Sequence, residues 1–219
     1  MSAGRSETRR GLAEAPSSGV ESGRLLDVSA LPSFAFSHRS LMWWGTLCMI
    51  AIEGAVFVLA VVSYFYLRHD SPLWPPSERP PDLLWGTVNT GILIASMWPN
   101  HWTKKVAEKL DLRKIRIGLV VCMLFSAAFL AVRVLEFRHL NTGWDRTAYG
   151  SVVWMLLGLH TVHLIADTWD SAVLTVLMFT GPLEGKRYVD VSENGVYWYF
   201  VVLAWLPIYA VVYWVPRWS

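Results

Sequence analysis

Apolar residues in this chain come in long runs separated by short polar stretches. They do not alternate with polar residues as in a half-buried strand. A helix that crosses a bilayer needs roughly 20 mostly apolar residues. Five segments meet or approach that length, at about 41–67, 83–100, 115–136, 149–180 and 196–216. They are apolar all round and longer than the ~10-residue alternating segments of a membrane β-barrel. The pattern therefore predicts an all-α membrane protein, a five-transmembrane-helix bundle over residues 41–219. Residues 1–40 are polar, and no apolar h-region follows their early arginines. They are expected to form a flexible cytoplasmic tail rather than a secretory signal peptide. Pro72, Pro75, Pro76, Pro80 and Pro81 exclude a helix interior between the first two spans and predict a loop there. Pro207 predicts a kink in the last span.

Composition sharpens this reading. The 219 residues are 54% hydrophobic and 16% charged, against about 25% charged in a typical soluble domain. The net charge of +2 is small and dispersed between the apolar runs, which argues against a nucleic-acid partner. Cys48 and Cys122 lie in different apolar runs and are expected to pack as small hydrophobes. Basic residues set the expected orientation. The densest cluster, Lys104, Lys105, Lys109, Arg113, Lys114 and Arg116, should face the cytoplasm. Five spans then place 13 basic residues inside and five outside. That puts the N-terminus in the cytoplasm and the C-terminus outside. Trp43–Trp44, Trp98 with Trp102, and Trp214 with Trp218 sit where interfacial aromatic belts belong.

Against this apolar background, ionisable residues inside the runs are candidates for chemistry. Glu53 lies near the middle of the first span. It reads either as part of a proton or ion pathway or as a protonated acid bonded to a neighbouring helix. In the fourth span His160, His163, Asp167 and Asp170 fall within an arc of roughly 80° and form one polar stripe. Three roles fit such a stripe: helix packing through hydrogen bonds, a proton or water path, or a metal or haem site. Glu136 and His139 make a Glu-x-x-His pair of the kind used twice in di-iron bundles. It occurs once here, and surface capping or ion pairing is its plainer reading. Arg133, three residues before Glu136, is placed for a local ion pair.

Taken in order, several of these pieces resemble subunit III of the haem–copper terminal oxidases, the cytochrome c and quinol oxidase family. They are Trp44-Gly45 with Ile52-Glu53 and Phe57, Trp74-Pro75-Pro76, and Asn89-Thr90 with Leu93 and Ser96. Glu136-Phe137, Tyr149-Gly150-Ser151, Gly158-Leu159-His160-x-x-His163, and Tyr197-Trp198 with Trp205 continue the series. The likeness runs from about Trp43 to Trp214 and matches the short five-helix form. It departs from the pattern at Tyr199 and Val202, where the family commonly has residues of a Trp-His-Phe and Asp motif, at the extra Asp167, and at Arg133 in place of Gln.

The resemblance implies a non-catalytic accessory subunit of a respiratory complex in the cell (inner) membrane. It would bind no haem, copper or other metal itself, because those cofactors belong to the partner subunits. Its partners would be catalytic subunit I, subunit II by the family pattern, and membrane lipids. It would stabilise the catalytic subunit and support proton uptake. Glu53 would be the family's buried carboxylate, and His160 and His163 its paired histidines. Glu136 and Asp167 complete the set of buried polar candidates. The alternatives are an accessory subunit of a nitric oxide reductase, a free-standing membrane di-iron or haem enzyme using Glu53, Glu136, His139, His160 and His163, and a small ion transporter.

Overall fold

The computed structural model describes residues 35–76, 79–182 and 184–218, and these are all helix, turn or loop, without a strand among them. Most of the tail expected over 1–40 therefore lies outside the described residues. Five α-helices follow in order: α1 Leu41–His69, α2 Leu83–Glu108, α3 Leu112–Arg138, α4 Ala148–Thr180 and α5 Gly185–Tyr209. A π-helical segment, Ala210–Trp214, and a 3-10 turn, Val215–Arg217, continue α5.

Local chemistry explains where several helices begin. The Ser40 hydroxyl accepts from the Met42 amide, Asp111 accepts from the Lys114 amide, and Thr147 accepts from the Gly150 amide. Each satisfies an amide that has no partner inside its own helix. The described residues of the proline-rich stretch are non-helical, as expected. Its Trp74 folds back into the core and donates to the Tyr64 hydroxyl at 2.9 Å.

Two helix limits differ from the sequence expectation, for the same reason. Helix α2 passes through Pro99 and runs on over Lys104 and Lys105 to Glu108. Helix α5 starts at Gly185, eleven residues before the expected 196. Both extensions are polar, so hydropathy cannot detect them. Some of their polar side chains are turned toward other helices: His101 Nδ1 bonds the Tyr199 hydroxyl at 2.8 Å, and Asn194 donates to Ser171 at 2.8 Å. At the far end of α5 the regular helix gives way to the π segment three residues after Pro207. Proline offers no backbone N–H, so the hydrogen-bond register is interrupted there.

Helix α2 packs against α3 and α5, α4 packs against α3 and α5, and α1 lies against α4 and α5. The core centres on Trp205, Tyr149, Tyr213, Phe129, Leu93 and Leu156. Helix α1 buries only Phe57, Ala60 and Tyr64. Large apolar side chains such as Ile52, Val58, Leu59 and Val62 cover its outer face.

Among the described residues four segments are long and apolar enough to cross a bilayer: α1, α3, α4 and Gly185–Arg217. Helix α2 is not apolar enough by composition, so five spans do not follow from hydropathy alone. Its polar residues are consumed between helices. Asn89 bonds Glu136, Thr90 accepts from the Trp205 indole at 2.8 Å, and Thr87 bonds Tyr209 at 2.7 Å.

Candidate functional site

The ionisable residues singled out from the sequence fall into two environments. The first is sealed in the core between α2, α3, α4 and α5. Arg133 and Glu136, each 1% exposed, form an ion pair of 2.9 Å between Nη1 and Oε2. Asn89 Nδ2 donates to the same oxygen at 2.5 Å, and the Tyr213 hydroxyl donates to Oε1. Arg133 Nη2 lies 3.1 Å from His160 Nδ1, and His160 Nε2 lies 3.0 Å from the Val201 carbonyl oxygen. A guanidinium can only donate and a carbonyl can only accept. His160 is thereby a neutral imidazole with its proton on Nε2.

The Arg133 guanidinium is held over two aromatic faces, 4.2 Å from the Trp205 ring centre and 4.7 Å from that of Phe129. Such packing offsets part of the cost of removing the cation from water. The local Arg133–Glu136 pair expected from spacing is present, but it is deeply buried rather than superficial. The Glu-x-x-His pair does not converge on one site. His139 caps the helix end, with Nδ1 at 2.8 Å from the Leu135 carbonyl in an exposed position. Glu136 points into the core.

The approach of Tyr213 depends on its partners' backbones. The π segment carries its ring against Gly86, where an added Cβ would meet the ring carbons at 2.5–2.9 Å. Only glycine leaves room there.

The second environment is an open cleft of about 540 Å³ between the N-terminal half of α1, the C-terminal half of α4 and the N-terminal half of α5. Glu53 stands in its wall and accepts from the Tyr197 hydroxyl at 2.7 Å. His163 Nε2 lies 3.8 Å from the same Glu53 oxygen. The His163 Nδ1 proton is committed to the Leu159 carbonyl at 2.7 Å. In a neutral ring Nε2 then carries only a lone pair. At 3.8 Å the His163–Glu53 approach is longer than a hydrogen bond.

Asp167, Asp170, Asp190 and Glu193 line the same cleft. Asp167 is 2% exposed and Glu193 4%, and none of their four carboxylate oxygens has a hydrogen-bond partner. The stripe predicted on α4 is thus divided: His160 serves the core, Asp167 and Asp170 line the cleft, and His163 approaches Glu53 without lining the cleft.

Sequence reasoning did not single out Asn89, Tyr213 or Trp205 as partners of the core pair, nor Asp190 and Glu193 as cleft residues. The spacing of Asp190, Glu193 and Tyr197, three and then four residues apart, is the helical signal that places them on one face. Asp190 and Glu193 lay ahead of the apolar run and so outside the expected span.

The family model described as "Cytochrome c oxidase subunit III" matches residues 44–218, which include nearly all of the helical bundle. The chain is 26% identical over 182 residues to "Cytochrome c oxidase subunit 3" of Synechocystis sp., covering 80% of this chain and 76% of the relative. It is 29% identical over 175 residues to "Probable cytochrome c oxidase subunit 3" of Nocardia farcinica, covering 78% and 86%. A third relative, "Heme-copper oxidase subunit I+III" of Aeropyrum pernix, is 28% identical over 186 residues, covering 80% of this chain and 22% of the relative. The Glu53, Glu136, His160 and Trp205 segments all lie within the stretch the family model matches, and this multi-pass membrane chain belongs to the cytochrome c oxidase subunit III family.

Proposed function

We propose that this chain is the accessory third subunit of a respiratory haem–copper oxidase and performs no redox chemistry itself. The family match across the helical bundle carries this reading. The joined "subunit I+III" name of the Aeropyrum relative supports direct contact with catalytic subunit I. Haem and copper would reside in the partner subunits. The test is purification of the tagged chain from its own membranes in mild detergent. A co-purifying haem-bearing partner, seen in the optical spectrum and by mass spectrometry, is the expected result. A colourless chain without a partner would overturn the assignment. Turnover of oxygen against nitric oxide then separates an oxidase from a nitric oxide reductase.

Within that reading α2 is the fifth span. Its 26 residues at about 1.5 Å each reach roughly 39 Å, beyond the ~30 Å hydrocarbon core. Its polar groups are bonded to neighbouring helices, and Leu84, Val88, Ile94 and Trp98 are exposed. Five spans put the two termini on opposite sides, and the basic cluster from Lys104 to Arg116 supports a cytoplasmic N-terminus and an outer C-terminus, which single-cysteine labelling from each side of the membrane checks. The Glu53–His163 pair supports a role in proton uptake. Glu53→Gln should slow proton uptake by the intact complex without removing its haem. Unchanged uptake would remove Glu53 from that role.

A further inference from the structure

Four helices bring polar side chains to one small space inside the bundle. Asn100 and Thr103 reach it from α2, Ser126 from α3, Ser171 from α4 and Asn194 from α5. All but Asn194 are buried, with Thr103 and Ser126 each 3% exposed. Among the described residues that line the space there is no Asp, Glu, Lys or Arg. The space is distinct from the acidic cleft, and among the described residues only Asn194 borders both.

These side chains do not use up one another's hydrogen-bonding capacity. Asn100 gives an Nδ2 proton to the Gly195 carbonyl at 3.0 Å, and Asn194 gives one to the Ser171 hydroxyl oxygen at 2.8 Å. Both amide oxygens keep lone pairs to fill, and the Ser171 hydroxyl keeps a proton to give. Thr103 has given its proton to the Pro99 carbonyl at 2.7 Å and can only accept further bonds. Among the described residues no donor or acceptor meets the Ser126 hydroxyl. The Trp198 indole also borders the space, but its N–H is committed to Ser96 at 2.9 Å. Polar groups left unbonded inside a bundle are costly, and native interiors satisfy them with protein or with ordered water.

We propose that this space is the site of one buried water molecule, which bonds the polar sides of α2, α3, α4 and α5 to one another. Its volume is about 20 Å³. A water molecule needs about 10–15 Å³ and two to four polar partners, so the space takes one and excludes any organic ligand. The partners are of both kinds that water requires. The amide oxygens of Asn100 and Asn194 accept its protons, the Ser171 hydroxyl donates to its oxygen, and the Ser126 hydroxyl does either. A bare cation would find no carboxylate on these walls to balance its charge. The water ties α2, the helix that composition does not mark as a span, to three segments that it does mark.

Two measurements test the site. The first is a density map of the chain in its native complex, at a resolution that shows ordered water. One peak is expected in the space, about 2.6–3.2 Å from polar atoms of at least two of Asn100, Ser126, Ser171 and Asn194. The absence of a peak overturns the proposal. So does a peak whose contacts are only about 2.3–2.6 Å long, because that spacing marks a metal cation. The second measurement is reversible unfolding of the full chain carrying Ser126→Ala, in mixed detergent micelles. The change adds no volume and removes one partner of the water. The folded-to-unfolded ratio should fall by roughly three- to tenfold. A dry space predicts the opposite sign, since the substitution would then delete a hydroxyl that has no partner. A ratio that is unchanged or higher therefore overturns the proposal.

Discussion

Replacing Arg133 by Met isolates the buried ion pair at the centre of the bundle. The methionine keeps much of the apolar stem volume but removes the charge. Glu136 would then keep Asn89 and Tyr213 as donors and lose its ionic partner. Breaking a buried pair from one side costs about 3–5 kcal/mol. Two further losses overlap with that figure. His160 Nδ1 loses its donor, a deficit of about 1–3 kcal/mol, and the stacking of the cation on Trp205 and Phe129 disappears. At 1.4 kcal/mol per factor of ten, the folded-to-unfolded ratio falls by roughly two to three and a half powers of ten.

The double variant Arg133→Met/Glu136→Gln should be more stable than Arg133→Met alone. The neutral amide introduced at position 136 can still accept from Asn89 and bond Tyr213, so the His160 deficit and the lost ring stacking remain. Reversible unfolding in mixed sodium dodecyl sulfate and maltoside micelles, followed by tryptophan fluorescence, measures all four corners of the cycle. The reasoning is refuted if Arg133→Met lies within about 1 kcal/mol of wild type. It is equally refuted if the double variant is as unstable as the two single changes added together, since the side chains would then be uncoupled.

Three smaller perturbations test other parts of the structure. Gly86→Ala drives a methyl group into the Tyr213 ring; overpacking of this kind costs about 1–3 kcal/mol, and the same unfolding assay should show it, whereas a neutral result means the π segment yields freely. Ser96→Ala strands the Trp198 indole N–H that now donates to Ser96 Oγ at 2.9 Å, so a loss of about 1–3 kcal/mol is expected; an unchanged midpoint means the indole finds another acceptor. At the start of α3, the Lys114 side chain bonded to Asp111 holds that carboxylate below its ordinary pKa of 3.8. Its contribution is therefore complete above the unfolded value and is lost as pH falls through the lower folded value. Amide exchange at Lys114 should accelerate relative to its intrinsic rate only in that acid window in wild type and not in Asp111→Asn; the same acid response in both proteins would remove Asp111 as its source.

The apolar runs by themselves determined that this is a helical membrane chain, that four of its described segments are long and apolar enough to cross a bilayer, and that a proline-rich loop follows the first. A bilayer imposes that pattern residue by residue over about 20 positions, so it is legible locally. Glu53, Glu136, His160, His163 and Asp167 were likewise conspicuous, because ionisable residues are costly in such runs. What joins to what was decided by tertiary structure. Glu53 meets Tyr197 from 144 residues away, Glu136 meets Asn89 from 47 and Tyr213 from 77, and no local periodicity encodes those distances. The folded bundle separated the expected α4 stripe into a sealed core and an open cleft. It carried α2 and α5 through polar segments that hydropathy excludes. Their polar side chains bond other helices instead of water, and that exchange exists only once the helices are packed.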